Sequence, residues 1–203
     1  MWRRSDVNSG YSVVVYCASS DLIRPAYRLA AVRLGELFAR NGITCVNGAG
    51  KQGLMGALND AVLRHGGKVK GIIPRFMVEA GWGHDQLSEV IVTETIHERK
   101  ALMARSSDAV VALPGGMGTL EELAEIITWK QLGLTRHPII LLNTDHYFDP
   151  LLSFFEQMMA ERFMRGDYRE MWQVAATPEE VIFMLQDFPE WDPSFGKYTG
   201  KEL

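Results

Sequence analysis

Between Ala109 and Ile127 the chain passes from a short apolar run, Ala109-Val110-Val111-Ala112-Leu113, to an amphipathic one through Pro114-Gly115-Gly116-Met117-Gly118-Thr119. The first run reads as a strand buried on both faces. The second places Leu120, Leu123, Ile126 and Ile127 at helical spacing. The glycines therefore stand where a parallel strand turns into a helix. Gly115, Gly116 and Gly118 lack a Cβ, so positive φ and close approach of backbone N–H groups to an anion are expected here. The free N–H groups and the helix dipole favour phosphate at such a start. A second reading needs no ligand: Thr119-Leu120-Glu121-Glu122 fits a capping box with Thr119 as N-cap. A cap, however, requires neither the proline nor the glycines.

With 203 residues, 47% of them hydrophobic, the chain can bury the core of one domain. A net charge of −4 argues against a broad basic surface, so no nucleic-acid partner is expected. Cys17 and Cys45 lie in apolar, strand-like runs and read as core residues of a reducing compartment. No apolar stretch has the length of a membrane span, and Met1–Gly10 has no signal-like apolar segment, so a cytoplasmic protein without a membrane partner is expected. No His, Asp, Glu or Cys cluster has ligand spacing, and no metal is expected.

In chain order, strands are predicted over Ser12–Ala18, Ile43–Asn47, Lys68–Ile73, Glu89–Thr93, Ala109–Leu113, Pro138–Asn143 and Trp172–Ala175, the last at a sheet edge. Helices are predicted from Pro25 to Asn41, Leu54 to His65, Ile96 to Ser106, after the central glycines to Gly133, and from Asp149 to about Arg165. Arg75–Ser88 reads as irregular or a short helix, and Thr177-Pro178-Glu179-Glu180 as a structural capping box. The alternation implies a single α/β domain over residues 11–187, a Rossmann-like open, mainly parallel sheet with helices on both faces. Residues 1–10 are expected to be a flexible N-terminus, and 188–203 a surface tail. Ligands of such sheets sit beyond the carboxyl ends of the strands, which brings Ser19-Ser20, Gly48–Gly53 and Gly115–Glu122 to one rim.

Gly48-x-Gly50-x-x-Gly53 matches the dinucleotide fingerprint, but it falls in the second βα unit, and the following strand ends in Ile73-Pro74-Arg75 with no acid for a ribose. A phosphate loop of the Walker type also fails, because Leu54-Met55 follows Gly53. A tight strand-to-helix turn lining the cleft is the better account.

Taken jointly and in order, Gly53-Leu54-Met55-Gly56, His97-Glu98-Arg99-Lys100, Pro114–Glu122, Ile126–Gly133 and Leu141-Leu142-Asn143 resemble the Lonely Guy family of cytokinin-activating enzymes, over roughly Ser12 to Ala176. The resemblance implies a cofactor-free homodimer that cleaves the N-glycosidic bond of cytokinin adenosine 5′-monophosphates, giving free base and ribose 5-phosphate. By the same resemblance Arg99 and Glu122 are catalytic. Cleavage builds positive charge on the ribose, which a carboxylate can stabilise while it orients water. A fixed guanidinium suits electrostatic positioning of the phosphate or leaving base better than proton transfer. Gly115, Gly116, Met117, Gly118 and Thr119 would hold the phosphate, with Lys100, Glu121, Thr128, Ser20 and Glu79 as further substrate-binding candidates. Each of these has a plainer role: Lys100 as a solvated charge, Thr128 as a helix-face residue, Ser20 as a cap, Glu121 as a partner of the helix dipole. Residues 75–84 depart from the family pattern, so either Glu79 or Gly81 occupies the place of its substrate-contacting glutamate. His84 reads as a local hydrogen-bonding residue. A nucleotide-monophosphate-binding protein without turnover is the alternative. Amino-acid decarboxylation, an old label of the family, would need a pyridoxal-phosphate lysine, and no Ser-x-His-Lys-like site is present.

Overall fold

Among the described residues seven short strands set the architecture, the central ones apolar and buried and the edge strand Glu89–Thr93 largely exposed. They are β1 (Ser12–Tyr16), β2 (Thr44–Asn47), β3 (Val69–Pro74), β4 (Glu89–Thr93), β5 (Ala109–Ala112), β6 (Ile139–Leu142) and β7 (Gln173–Ala175). The computed structural model describes residues 10–189, so the predicted N-terminal segment and surface tail fall almost wholly outside the described residues. The strands form one sheet in the order β4-β3-β2-β1-β5-β6-β7, and every pairing is parallel. Parallel neighbours need crossovers. These are α1 (Pro25–Arg40), α2 (Gly53–Arg64), the short α3 (Arg75–Glu79), α4 (Ile96–Arg105), α5 (Met117–Gln131) and α6 (Asp149–Ala160), and α7 (Pro178–Gln186) follows β7.

Alternation along the strands divides the core in two. Val13, Val15, Cys45, Val69 and Val111 pack with Leu34, Phe38, Leu54, Leu58, Val181 and Leu185 on one side. On the other, Val14, Tyr16, Val46, Ile72, Val110 and Ala112 pack with Met103, Leu123, Ile126, Phe155 and Trp172. α1 and α2 come close because Gly35 has no side chain: a Cβ there would stand 2.8 Å from both Ala61 Cβ and the Leu58 carbonyl oxygen.

Several boundaries differ from expectation. α6 ends at Ala160 rather than near Arg165, because Arg162 takes a left-handed φ of 64° that no α-helix accommodates. Beyond it Gly166–Met171 forms a 3₁₀ turn, whereas Thr144–His146 before α6 is a tight turn with Asp145 outside helical geometry. α4 opens with a full capping box, Thr95 with Glu98, which local reading passed over. Only half of the box expected at Thr177 forms. Its hydroxyl accepts from Glu180 N–H, but the Glu180 carboxylate accepts from Ala176 N–H, one residue early.

The order reverses at β1, whose chain continues to β2 on one side while β5 lies on the other. A crevice opens between carboxyl ends at such a point. Here the segments after β1 and β5 are tied directly, Ala18 N–H donating to the Pro114 carbonyl at 3.2 Å.

Candidate active site

α5 begins one residue after Gly115-Gly116, with Gly116 as N-cap and, among the described residues, no capping side chain. Its first-turn N–H groups thus lack both intrahelical and side-chain partners. Thr119 is the third helical residue rather than the N-cap, so the capping box expected over Thr119–Glu122 does not form. The positive φ expected of these glycines is also absent. Gly116 is extended at φ −86°, and neither Gly115 nor Gly118 is left-handed. What the missing Cβ atoms provide is space. A Cβ on Gly116 or Gly118 would meet nothing within 4 Å, whereas one on Gly115 would stand 2.1 Å from Thr119 Oγ1. The Thr119 hydroxyl is therefore packed down on Gly115 and Thr119 is buried, while Gly116, Met117 and Gly118 are exposed.

Glu122 lies one helical turn beyond Gly118 on the same face, about 6 Å along the axis. Its side chain is 13% exposed and faces Arg99 of α4, itself 12% exposed, with Arg99 Nη2 3.4 Å from Glu122 Oε1. Burial pushes the Glu122 carboxyl up to about 7, and Arg99 opposes that rise. The guanidinium is under-used: Nη1 reaches only Met77 Sδ, at 3.8 Å, and Nε is buried without a hydrogen-bond partner among the described residues. A buried donor in that state costs about 1–3 kcal/mol until something accepts from it. Gly48 makes room for this cation, since a Cβ there would lie 2.1 Å from Arg99 Nη2.

The remaining candidates divide. Lys100 is buried and turned from Arg99 onto α5, where Nζ pairs with Glu121 and, at 3.2 Å, with Glu125. Those bonds, the one to Glu121 first, hold its amine above the usual lysine range. So Lys100 is neither a solvated charge nor an open ligand. Glu121 is exposed and held by this lysine. Thr128 is exposed on α5 and its hydroxyl donates back to the Ala124 carbonyl at 2.8 Å, the helix-face role. Ser20 is exposed, its Oγ accepting from Leu22 N–H at 3.2 Å; it closes a turn and does not cap α1. Glu79 is exposed at the end of α3, and the contact from α3 to Arg99 comes from Met77 instead. His84 bonds Asp60 at 3.0 Å and accepts from Gln86 N–H, a local role.

The other glycine turn, Gly48–Gly53, is a structural corner. Gly53 is left-handed, at φ 65°, and a Cβ there would lie 2.5 Å from the Ser19 carbonyl carbon. Its N–H donates to Asp21 Oδ1 at 2.9 Å, while Leu54 and Met55 N–H both reach the Ala18 carbonyl. The start of α2 is thus filled by protein atoms.

Residues 55–185 match a family model described as "Possible lysine decarboxylase". A probable cytokinin riboside 5′-monophosphate phosphoribohydrolase of Oryza sativa subsp. japonica is 44% identical over 190 residues, covering 93% of this chain and 76% of that protein. A cytokinin riboside 5′-monophosphate phosphoribohydrolase of Arabidopsis thaliana is 40% identical over 190 residues, covering 93% of this chain and 86% of that protein. The chain belongs to the Lonely Guy family.

Among solved structures, a molybdenum cofactor carrier protein from Chlamydomonas reinhardtii superposes on this Lonely Guy protein with a TM-score of 0.68 at 23% identity, covering 88% of this chain and 96% of the other. That likeness is one of fold. Two site neighbours, Met77 and Tyr16, escaped sequence reading, and Gly48 reads there only as part of a turn lining the cleft. Met77 and Gly48 bracket Arg99, and Tyr16 is buried at the end of β1, its phenol pushed up by burial and then by the Glu122 charge. Only the position of Tyr16 at a strand end could have signalled it.

Proposed function

We propose that this chain hydrolyses the N-glycosidic bond of adenosine 5′-monophosphates of the cytokinin type, releasing free base and ribose 5-phosphate. The observation that carries this reading is the largely buried Arg99–Glu122 pair standing one turn beyond an uncapped, open glycine turn. An anion at the start of α5 gains from the free N–H groups and the helix dipole. A ribose attached to that anion extends along α5 toward Glu122. As the base departs, the sugar becomes electron-poor, and the Glu122 carboxylate stabilises it and orients the attacking water. Arg99 keeps part of the Glu122 population ionised, and its spare donors are available to the substrate. In this reading Gly116, Met117 and Gly118 hold the phosphate by backbone N–H groups, Gly115 and Thr119 shape the turn, and Lys100 with Glu121 forms its outer wall.

The activity that names the two plant relatives supports the same substrate class. Among the described residues no helix is long and apolar enough to cross a membrane, and we place the enzyme in the cytoplasm. We also read it as a homodimer; exposed Phe154 and Phe163, beside an apolar hollow of about 300 Å³ at the end of α6, support self-association. Incubation with AMP and with isopentenyladenosine 5′-monophosphate, followed by chromatography for free base and an assay for ribose 5-phosphate, tests the activity. Release of base from neither, by folded protein, overturns it.

A further inference from the structure

The connection between β6 and α6 is built at a conformational cost. Asp145 and His146, neither a glycine, both take left-handed φ, 51° and 59°. Such residues cost on the order of 1 kcal/mol or more each and persist only where the surroundings hold them. Here Arg24 Nη1 pairs with Asp145 at 3.3 Å. Asn143 Oδ1 accepts from Phe148 N–H and Asn143 Nδ2 donates to Asp149 Oδ1, both at 2.7 Å. What this held segment delivers is Tyr147. Its ring stands edge-on to Tyr27, with centroids 5.6 Å apart, and to Phe148 at 5.2 Å. Its hydroxyl donates to the Gly115 carbonyl at 2.6 Å.

We infer that Tyr147 is a positioning residue for the phosphate-binding turn. The peptide joining Gly115 to Gly116 is trans, so its carbonyl and its N–H point in opposite directions. A carbonyl captured by Tyr147 cannot swing toward an anion at the start of α5, and the Gly116 N–H is held facing away from Tyr147. The preceding carbonyl, of Pro114, is taken by Ala18 N–H. Both acceptors leading into the turn are thus engaged by protein donors, and the turn presents donors to the ligand. Without the Tyr147 bond a glycine–glycine peptide rotates easily, and an outward-facing oxygen would repel phosphate.

This inference rests on the proposed phosphoribohydrolase reading, and its test separates the two. Tyr147→Phe keeps the ring packing and removes only the donor. For AMP hydrolysis the variant is expected to show a KM raised about tenfold, the size of one hydrogen bond, with kcat within about twofold of wild type. Inhibition by ribose 5-phosphate should weaken by the same factor, and inhibition by adenine, which lacks the phosphate, should not change. An unaltered ribose 5-phosphate constant overturns the inference. So does an equal weakening toward adenine, which would mark a general loosening of the site. Should wild type fail to cleave any ribotide, the hydrolase reading falls, and calorimetric binding of ribose 5-phosphate to wild type and Tyr147→Phe still decides the role of Tyr147.

Discussion

The two glycine turns of this protein stand at equivalent corners, each where a parallel strand gives way to a helix on the same rim of the sheet. Gly48–Gly53 looks more like a nucleotide loop by spacing, yet the start of α2 is occupied by the Ala18 carbonyl and the Asp21 carboxylate. Pro114–Gly118 matches no dinucleotide fingerprint, yet the start of α5 is uncapped and open. The glycines also differ in purpose. Gly53 needs its left-handed φ and has backbone against its α-carbon, whereas Gly116 and Gly118 occupy ordinary conformations beside open space. A glycine that the fold requires and one that borders open space are thus told apart by what a Cβ would strike.

The sharpest way to break this contrast is Gly53→Ala. Its Cβ would meet Ser19 backbone at 2.5 Å in a left-handed conformation, and a loss of about 3 kcal/mol or more in denaturant unfolding is expected. A near-native midpoint would show that this corner is not the packed one. Next in size is Glu122→Gln, where turnover should fall by about 100-fold or more, near 2.7 kcal/mol of barrier. Retention of normal rate would detach the chemistry from the open turn.

The same variant carries a stability signature. The folded carboxyl sits at about 7 against an ordinary 4.5, so between those values the native state holds a proton that the unfolded chain has released. Stability then falls as pH rises through that window, because the unfolded chain binds fewer protons there. Glu122→Gln should remove the decline and gain on wild type by on the order of 2 kcal/mol by neutral pH. Parallel melting curves at pH 5 and pH 8 check this, and a constant difference between the two proteins contradicts the burial of Glu122. The smallest effect is expected from Gly116→Ala, with a melting temperature within a few degrees of wild type but AMP affinity lowered about tenfold, as the new methyl enters the space left for phosphate. If instead its unfolding free energy drops as far as that of Gly53→Ala, the two turns are alike after all.

How much of this was legible beforehand follows the same division. Buried parallel strands announce themselves as apolar runs, so the order of elements and the sheet class could be read. Arg99 and Glu122 are reached through the family resemblance, and the structure sets their side chains against each other. That Gly48–Gly53 is a tight turn could be read from its place in the second βα unit and the missing acid, but its occupants could not, since Ala18 and Asp21 lie far from Gly53 in sequence. The partners of Lys100 could not be read either: successive residues on a helix point about 100° apart, so Lys100 faces Glu121 and Glu125 while Arg99 faces Glu122. Tyr147 was missed because two left-handed residues aim it, and no periodicity marks them.

The bare α-carbon of Gly48 also fixes a partnership across the rim. Because the guanidinium of Arg99 lies where a methyl at position 48 would project, the two sites are mutually exclusive occupants of one volume. A relative bearing alanine at the first must shift the guanidinium end of an arginine at the second. The pair is therefore a stereochemical marker: reading position 48 alone tells whether a homologous chain can keep its arginine in this posture.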